Sequence, residues 1–238
     1  MNVLKAILDA IFPPNYTCDL CGGEIFSGKN LCKKCYATIT FNDGATCPVC
    51  GRRTDRDELC LECKSQTPVY DKAVSALVYE KGGTQLIYKY KNGCSYLKDY
   101  FINVLSDKLA ELPPADAVCF VPMTRKDEIK RGYNQSYLLA KEISKTLKLP
   151  LLKNAMVKQK GTAAQKSLTR REREENLKSA FKAERREVEG KTLIIADDVL
   201  TTGATADAIS AELKKKGAKR VYFVTVASVE YKSGAKDE

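Results

Sequence analysis

Residues 193–205 read LIIADDVLTTGAT, and this stretch decides the fold that we expect for the chain. The apolar run 193–196 predicts a buried strand of a parallel sheet, and the helical pattern 206–216 predicts a helix that Gly217 closes. A strand that passes through a turn into a helix is the repeating unit of an open α/β sheet, where ligands bind at the carboxyl ends of the strands. We therefore expect a ligand site at residues 197–205.

The polar residues of this stretch suit a phosphorylated sugar. Asp197 and Asp198 can accept hydrogen bonds from the hydroxyls of a ribose. Unpaired backbone N–H groups at a helix start can hold a phosphate, and Gly203 lets the backbone approach an anion closely. Further hydroxyl donors come from Thr201, Thr202 and Thr205. The pattern predicts a site for ribose 5-phosphate. The alternative is an edge strand with two solvated aspartates, and a Walker A loop is excluded because no Lys-Ser/Thr follows the glycine.

Length and composition bound the remaining possibilities. A chain of 238 residues has room for one ordinary domain and a small module. The formal net charge of +10 indicates an affinity for polyanions. The chain has no histidine, which excludes an imidazole base, a Ser-His or Cys-His nucleophile pair and a Cys-His zinc site.

The first twelve residues are predicted to form a short packing helix. They resemble a signal peptide only briefly, because Asp9 interrupts the apolar run and Pro13-Pro14 end it without a cleavage site. With no targeting segment and no long apolar run, we expect a cytoplasmic location and no transmembrane segment; association with the inner face of the membrane through partners stays open.

Eight of the ten cysteines form four C-x2-C pairs, which predict two structural zinc sites. The eight ligands are Cys18, Cys21, Cys32, Cys35, Cys47, Cys50, Cys60 and Cys63. Sequential pairing puts the first four on one zinc ion and the last four on another, and a crossed arrangement stays open. Disulfides are the alternative, but regular spacing and a cytosolic context favour metal. Four thiolates leave no position for water, and residues 15–65 are too few for a core, so the metal supplies folding free energy.

Alternating strands and helices follow the cysteines. We predict strands at 69–79, 117–121, 192–196 and 221–227, and helices at 85–91, 96–112, 136–147 and 206–216. Gly82-Gly83 should end the first strand, and Cys119 should be a small buried hydrophobe. The predicted domains are a cysteine module with its leading helix at 1–66, an α/β domain at 67–231 and a flexible tail at 232–238.

The order of motifs resembles the ComF (ComFC) family over nearly the whole chain. The matching motifs are the cysteine pairs, Val121-Pro122, RGYNQ at 131–135, TAAQ at 162–165 with Arg173, Asn176 and Phe181, and DDVLTTGAT at 197–205. The resemblance implies a double zinc-ribbon module on a type I phosphoribosyltransferase-like parallel sheet. It also implies a role in the uptake of transforming DNA.

The resemblance further implies a site for phosphoribosyl diphosphate (PRPP) with Mg²⁺. Asp197 and Asp198 would bind the ribose hydroxyls. The 5-phosphate would be held by Thr201, Thr202, Gly203, Ala204 and Thr205. Diphosphate would be held by Pro122, Met123, Thr124 and Arg125, with Arg125 or Lys126 as the cation. Residues 155–180 correspond to a lid that closes over the site.

Two departures from related transferases narrow the activity. The fifth position of the loop is Thr201, where transferases for 6-oxopurines carry a carboxylate, so purine salvage is disfavoured. Residue 2 is Asn, and no N-terminal cysteine nucleophile is available for an amidotransferase reaction.

Basic residues are concentrated between positions 120 and 180, with 15 Lys/Arg against 6 Asp/Glu. Lys89 and Lys91 alternate with Tyr88 and Tyr90. Cations interleaved with aromatic rings suit single-stranded DNA, and the alternative is an ordinary solvated face or a surface used by PRPP itself. The candidate DNA contacts in the lid are Lys158, Lys160, Lys166, Arg170, Arg171 and Arg173.

Three functions fit these observations: a Mg²⁺-dependent phosphoribosyltransferase, a single-stranded DNA-binding protein of DNA uptake, and a zinc adaptor that docks a DNA helicase or translocase. We favour the second and third on a genuine PRPP site. The alternative is an active phosphoribosyltransferase of nucleotide metabolism. The acceptor, catalysis itself and the oligomeric state stay open.

Overall fold

A computed structural model describes residues 17–25, 29–159 and 179–230. The predictions for the leading helix at 1–12, TAAQ at 162–165, Arg173, Asn176 and the tail at 232–238 lie outside the described residues. The helices are α1 (Lys33–Tyr36), α2 (Leu61–Ser65), α3 (Lys81–Lys91), α4 (Leu97–Ala110), α5 (Arg125–Arg131), α6 (Gln135–Leu147), α7 (Arg185–Val188) and α8 (Ala204–Lys215). Within the described ranges, none of them combines the length and apolar composition needed to cross a bilayer.

Four parallel strands form the central sheet in the order β1-β6-β5-β2. They are β1 (Lys72–Val78), β2 (Ala117–Phe120), β5 (Thr192–Leu200) and β6 (Arg220–Ser228). A short antiparallel ribbon of β3 (Met156–Lys158) and β4 (Phe181–Ala183) stands apart from it. The expected α/β fold with a parallel sheet is therefore confirmed.

Both faces of the sheet are buried, which explains why β5 reads as a continuous apolar run rather than an alternating one. Ile194 and Val224 lie in the core shared with α3, α4 and α6. Ile195 and Phe223 lie in the opposite core, shared with α8. Cys119 is buried in this second core, as the sequence predicts.

Strand β5 is four residues longer than predicted, because its two neighbours differ in length. Strand β2 pairs with it only as far as Phe120 beside Ala196. On the other side β6 continues, and it pairs Leu200 with Ser228. Asp197 and Asp198 therefore lie within a strand that has lost its β2 neighbour, and a crevice opens at that point.

Gly82 and Gly83 do not end β1 as expected, because they lie in the first turn of α3. A Cβ on Gly82 would lie 2.3 Å from Thr38 Oγ1, and one on Gly83 would lie 2.8 Å from Val78 O. The two glycines allow a helix to begin tightly packed between the strand and the cysteine module.

The cysteine module covers the outer edge of β1. Asn42 N donates to Ala76 O at 2.8 Å, Val78 N donates to Thr40 O at 2.9 Å, and Ala73 N donates to Val49 O at 2.7 Å. These bonds satisfy a strand edge that would otherwise be open to pairing with another chain. The cysteine module is therefore joined to β1 by backbone hydrogen bonds along the edge of the sheet.

Candidate functional site

The eight paired cysteines form two similar units. In each unit the first pair lies on a tight turn whose glycine adopts a positive φ, +73° at Gly22 and +65° at Gly51. The second pair begins a one-turn helix, where the thiol of Cys32 or Cys60 accepts the N-cap bond. Repeated turn and helix pairs are the form of a double zinc ribbon.

The structure brings the thiols together in sequential sets. Cys18, Cys21, Cys32 and Cys35 form one set, and Cys47, Cys50, Cys60 and Cys63 form the other; within each set all sulfur atoms lie within 4.8 Å of one another. The Sγ atoms of Cys21 and Cys32 lie 3.9 Å apart, and those of Cys50 and Cys60 lie 3.6 Å apart. Both distances are close to the edge of about 3.8 Å for a tetrahedron with Zn–S bonds of about 2.3 Å. None of the ten cysteines forms a disulfide. The crossed arrangement is excluded, and each set fits one zinc ion.

The two zinc ribbons differ in exposure. All four cysteines of the second set are buried, whereas Cys21 is exposed and Cys32 and Cys35 are half-buried. In the second set a hydrogen bond from the Cys50 thiol is the largest cause that lowers the pKa of Cys47 to about 4, against the effect of burial. In the same set the hydrogen bond with Cys47 and burial raise the pKa of Cys50, and burial raises that of Cys63 to about 12. A metal ligand must be a thiolate, so Cys47 is the thiol of this set that its surroundings favour in the binding form, and metal binding must displace protons from the others.

Asp197 and Asp198 line a cavity of about 740 Å³ at the crevice beside β5. Asp198 is buried and Asp197 half-buried. The other lining residues are Lys91, Asn92, Gly93, Val121, Pro122, Met123, Asp127, Lys130, Arg131, Gln135, Ser136, Lys158, Phe181 and Thr205. The cavity thus combines a carboxylate pair with four cationic side chains.

Three side chains fix the orientation of the carboxylates. Gln135 Nε2 donates to Asp198 Oδ2 at 2.7 Å, and Lys91 Nζ lies 2.9 Å from Asp198 Oδ1. Ser136 Oγ donates to Asp197 Oδ1 at 2.9 Å, as does the backbone N–H of Asp198. These bonds hold the pair in one geometry before any ligand arrives.

The same surroundings change the proton affinity of Asp197. Burial, followed by the neighbouring charge of Asp198, raises its pKa from 3.8 to about 7, against the hydrogen bonds and Lys91. A carboxyl group in this range exchanges a proton near neutral pH.

The RGYNQ motif is the feature whose role the sequence left unassigned. Gly132 ends α5 in the left-handed region, and the side chain of Asn134 caps α6 by accepting from the N–H groups of Ser136 and Tyr137. Arg131 Nη1 donates to Gln135 Oε1 at 2.5 Å. The motif therefore places Gln135 and Ser136 against the carboxylates. In the sequence, this role was signalled by Asn134, a favourable N-cap residue, followed by the two hydrogen-bonding residues Gln135 and Ser136.

The expected phosphate loop lies between β5 and α8. Thr201 and Thr202 are exposed, Thr205 lines the cavity, and Ala204 N donates to Thr202 Oγ1 at 3.3 Å. Gly203 has φ +84° and precedes α8 without a capping side chain. Beyond Ala204 N, the N–H groups of Thr205 and Ala206 in the first turn of α8 remain available to an anion.

The segment predicted to hold diphosphate reaches the cavity only in part. Pro122 and Met123 line it, whereas Thr124 caps α5 through Asp127 N at 3.1 Å. Arg125 is exposed and is not among the described lining residues. The cations that line the cavity are instead Lys91, Lys130, Arg131 and Lys158.

The predicted row of alternating cations and tyrosines is largely used inside the protein. Tyr90 is fully buried and donates to Gln135 O at 2.8 Å, and Lys89 Nζ donates to Asp19 O at 2.8 Å. Tyr88 is exposed. The interleaving therefore follows from helix geometry and does not form an aromatic surface for bases.

Of the six candidate DNA contacts in the lid, the structure describes Lys158. Lys160, Lys166, Arg170, Arg171 and Arg173 lie outside the described residues. The strands β3 and β4 bring Lys158 and Phe181 to the cavity wall.

Two protein-family models match separate parts of the chain. Residues 7–64 match the double zinc ribbon domain family, and residues 133–238 match the phosphoribosyl transferase domain family. Competence protein F of Haemophilus influenzae is 30% identical over 218 residues, which are 87% of this chain and 94% of that protein. DNA utilization protein YhgH of Escherichia coli K12 is 30% identical over 213 residues, 86% of this chain and 93% of that protein.

Among solved structures, a glutamine phosphoribosylpyrophosphate amidotransferase from Bacillus subtilis has 20% identity and a TM-score of 0.39. The match covers 54% of this chain and 26% of that one.

Proposed function

The chain belongs to the ComF (ComFC) family, and on that premise we propose that it is a PRPP-binding protein of DNA uptake whose basic surface also binds single-stranded DNA. Relatives named for competence and DNA utilization support the cellular role. The observation that supports PRPP binding is a cavity lined by both the carboxylate pair and four cationic side chains.

The arrangement of charges suits the two chemical parts of PRPP. Hydroxyl groups donate to carboxylates, which Asp197 and Asp198 supply, whereas phosphates need donors and positive charge. The N-terminus of α8 offers N–H groups for the 5-phosphate, while Lys130 and Arg131 offer charge for the diphosphate. Mg²⁺ supplies further neutralisation of the diphosphate when it is bound.

We expect the double substitution Asp197→Asn with Asp198→Asn to weaken Mg-PRPP binding by at least about tenfold. The amides keep the shape of the carboxylates, but hydrogen bonds to charged groups contribute about 1.5–3 kcal/mol each, more than neutral ones. Isothermal titration calorimetry on the zinc-loaded protein measures the affinity.

The matched control is Asp99→Asn, because Asp99 is an exposed carboxylate on α4 that pairs with Lys98. It should leave the affinity unchanged. Equal affinity of the double variant and the wild type would contradict the proposed site, as would a wild type that does not bind Mg-PRPP.

The DNA-binding part of the proposal rests on charge. The net charge of +10 and the cations around the cavity favour a nucleic acid backbone, and single-stranded DNA is the form that we propose the chain binds during DNA uptake. A DNA helicase or translocase of the competence machinery is the proposed protein partner, which the chain would meet on the cytoplasmic side of the membrane.

One observation favours a second function, an active phosphoribosyltransferase. A base with a pKa near the working pH is the most effective proton acceptor, and the pKa of Asp197 is raised to about 7. Formation of a nucleoside monophosphate together with release of diphosphate from Mg-PRPP by purified protein, in the presence of nucleobases tested one by one, would establish transfer. Binding of PRPP without diphosphate release would support the binding-protein function.

A further inference from the structure

Arg52 connects the second zinc ribbon to the phosphate loop. It follows the Cys50-Gly51 turn directly, and only 4% of the residue is exposed. Its guanidinium donates through Nη2 to the backbone oxygen of Thr201 and pairs through Nη1 with Glu62. Burying a guanidinium is costly unless it is well paired, yet Nε has no partner among the described residues. The contact with the loop therefore needs an explanation beyond stability.

The position of Arg52 is set by the metal-binding turn. Cys47 N donates to Arg52 O at 2.9 Å, and Gly51 N donates to Cys47 O at 2.9 Å. Glu62 lies between the ligands Cys60 and Cys63, so the carboxylate that pairs with Arg52 belongs to the other half of the same zinc ribbon. A zinc ion bound by the second set would therefore hold in place both the turn that carries Arg52 and the helix that carries Glu62.

The turn is also packed directly onto the sheet. A Cβ at Gly51 would lie 2.3 Å from Ala73 O, so only glycine fits this approach to β1. Asn42 Nδ2 donates to Gly51 O at 2.7 Å from a buried position. The distance between Arg52 and the end of β5 is therefore fixed by packing as well as by the ion pair.

A second contact joins the same region to the phosphate loop. Tyr70 lies in the buried cluster that contains Cys50 and Cys63. A Cβ added to Gly203 would lie 3.6 Å from the hydroxyl oxygen of Tyr70 and 3.8 Å from its ring carbon Cε1. Val69 N donates to Asp207 Oδ1, in the first turn of α8, at 2.6 Å. The loop is supported from the zinc-ribbon side at both of its ends.

We propose that Arg52 is a positioning residue through which zinc at the second ribbon sets the geometry of the phosphate loop. A carbonyl oxygen carries partial negative charge and repels a phosphate. By engaging the oxygen of Thr201, Arg52 keeps that oxygen on its own side and leaves the N–H groups of the loop to the anion. This inference rests on the proposed PRPP site. Loss of Arg52 or of the second zinc ion releases the loop.

Among its described residues, 17–25 and 29–36, the first zinc ribbon has no equivalent of Arg52. Its turn reads CDLCGG at 18–23, where the second reads CPVCGR at 47–52. Gly23 thus stands at the position of Arg52. In the described part of the chain, the contact with the backbone of Thr201 therefore comes from the second ribbon.

Arg52→Gln tests the proposal, with Arg53→Gln as its matched control. Arg53 is the next residue, half-exposed, and it contacts Glu230 and Phe41 O instead of the loop. In zinc-loaded protein without ligand, Arg52→Gln should speed hydrogen–deuterium exchange of the amides at 201–207 by about tenfold or more, and Arg53→Gln should not. Arg52→Lys, which keeps a donor, should restore part of the protection.

Zinc content and ligand affinity complete the test. Metal analysis should show both zinc ions retained in each variant, and Mg-PRPP affinity should fall about tenfold in Arg52→Gln only. Unchanged exchange in Arg52→Gln with zinc retained overturns the inference. Because the exchange measurement needs no PRPP, a wild type that fails to bind PRPP would overturn the proposed function separately.

Discussion

At the scale of residues, the site depends on a few side chains that hold two carboxylates side by side. Like charges in adjacent positions disfavour ionisation, so the pair needs partners. Lys91 and Gln135 hold Asp198, and Ser136 holds Asp197. The partners leave the two aspartates unequal, because Asp198 has the ion pair and Asp197 has the raised pKa.

The raised pKa of Asp197 makes the stability of the unliganded protein depend on pH. Its value is about 7 in the folded chain against 3.8 as the ordinary value, so the folded state keeps a proton that the unfolded chain has released. The free energy of unfolding should therefore fall as the pH rises from about 4 to 7, and level off above. Asp197→Asn lacks this titration, so its stability relative to wild type should increase across the same window.

Urea denaturation of zinc-loaded protein at several pH values between about 5 and 8 measures the difference between the two proteins. Using the difference cancels the protonation of zinc ligands, which both proteins share. Asp99→Asn, on an exposed surface, should show a constant difference from wild type. A constant difference for Asp197→Asn as well would mean that Asp197 is already ionised throughout.

At the scale of elements, the two zinc ribbons are similar in form but differ in where they pack and in how exposed their cysteines are. The first packs with α3 and α4 in one core, and the second packs on the opposite face with α8. Each is a turn and a one-turn helix with four thiols, but in the second all four cysteines are buried. Exposure of ligands decides how fast a chelator reaches a metal.

We expect two zinc ions per chain that leave at different rates. A chromogenic chelator should remove zinc from the first ribbon faster than from the second, by about tenfold or more, because metal binding and local folding are coupled and the second set is shielded. Absorbance of the metal–chelator complex follows the release.

Cys21→Ser and Cys50→Ser form a matched pair, since each removes the last thiol of a turn. The Cys21 variant should lose the fast phase and the Cys50 variant the slow phase. Folded protein free of zinc would contradict the assignment of ligands, and a single phase that contains both ions would contradict the predicted difference in shielding.

At the scale of the whole molecule, the cavity is held from both faces of the sheet. Lys89 Nζ donates to Asp19 O of the first ribbon, and α3 carries Lys91 to Asp198. Arg52 of the second ribbon contacts Thr201. The first zinc ribbon therefore contacts the helix that carries Lys91, and the second contacts the loop between β5 and α8.

We expect single-stranded DNA to bind with strong salt dependence. Replacing Arg170, Arg171 and Arg173 by Gln should weaken binding of a labelled oligothymidine. The slope of log affinity against log salt should become less steep by up to about 2, because each lost phosphate contact removes about 0.7 from it. Fluorescence anisotropy measures both. Zinc content and Mg-PRPP affinity should stay unchanged.

The control replaces Lys215, Lys216 and Lys219 by Gln, at the end of α8 remote from the phosphate loop. It removes the same charge and should leave the slope near the wild-type value. Equal effects of the two triple variants would mean that net charge alone attracts DNA, and salt-independent or absent binding would favour the enzyme function.

The sequence alone was sufficient for features that depend on local chemistry. The C-x2-C spacing predicted the two sets of four thiols, and an apolar run followed by Asp197, Asp198 and Gly203 predicted a strand, a turn and a helix. These features persist because a chelating turn and a helix N-terminus are formed by residues close together in the chain.

Only the tertiary structure decided which distant residues share the site. Lys91, Gln135 and Arg52 reach residues 198–201 from three separate elements, and Arg125 stands outside the cavity although it is near in sequence to Met123. The sequential pairing of thiols and the length of β5 were settled in the same way. Such contacts depend on where packing brings elements together, and no periodicity within one segment encodes that distance.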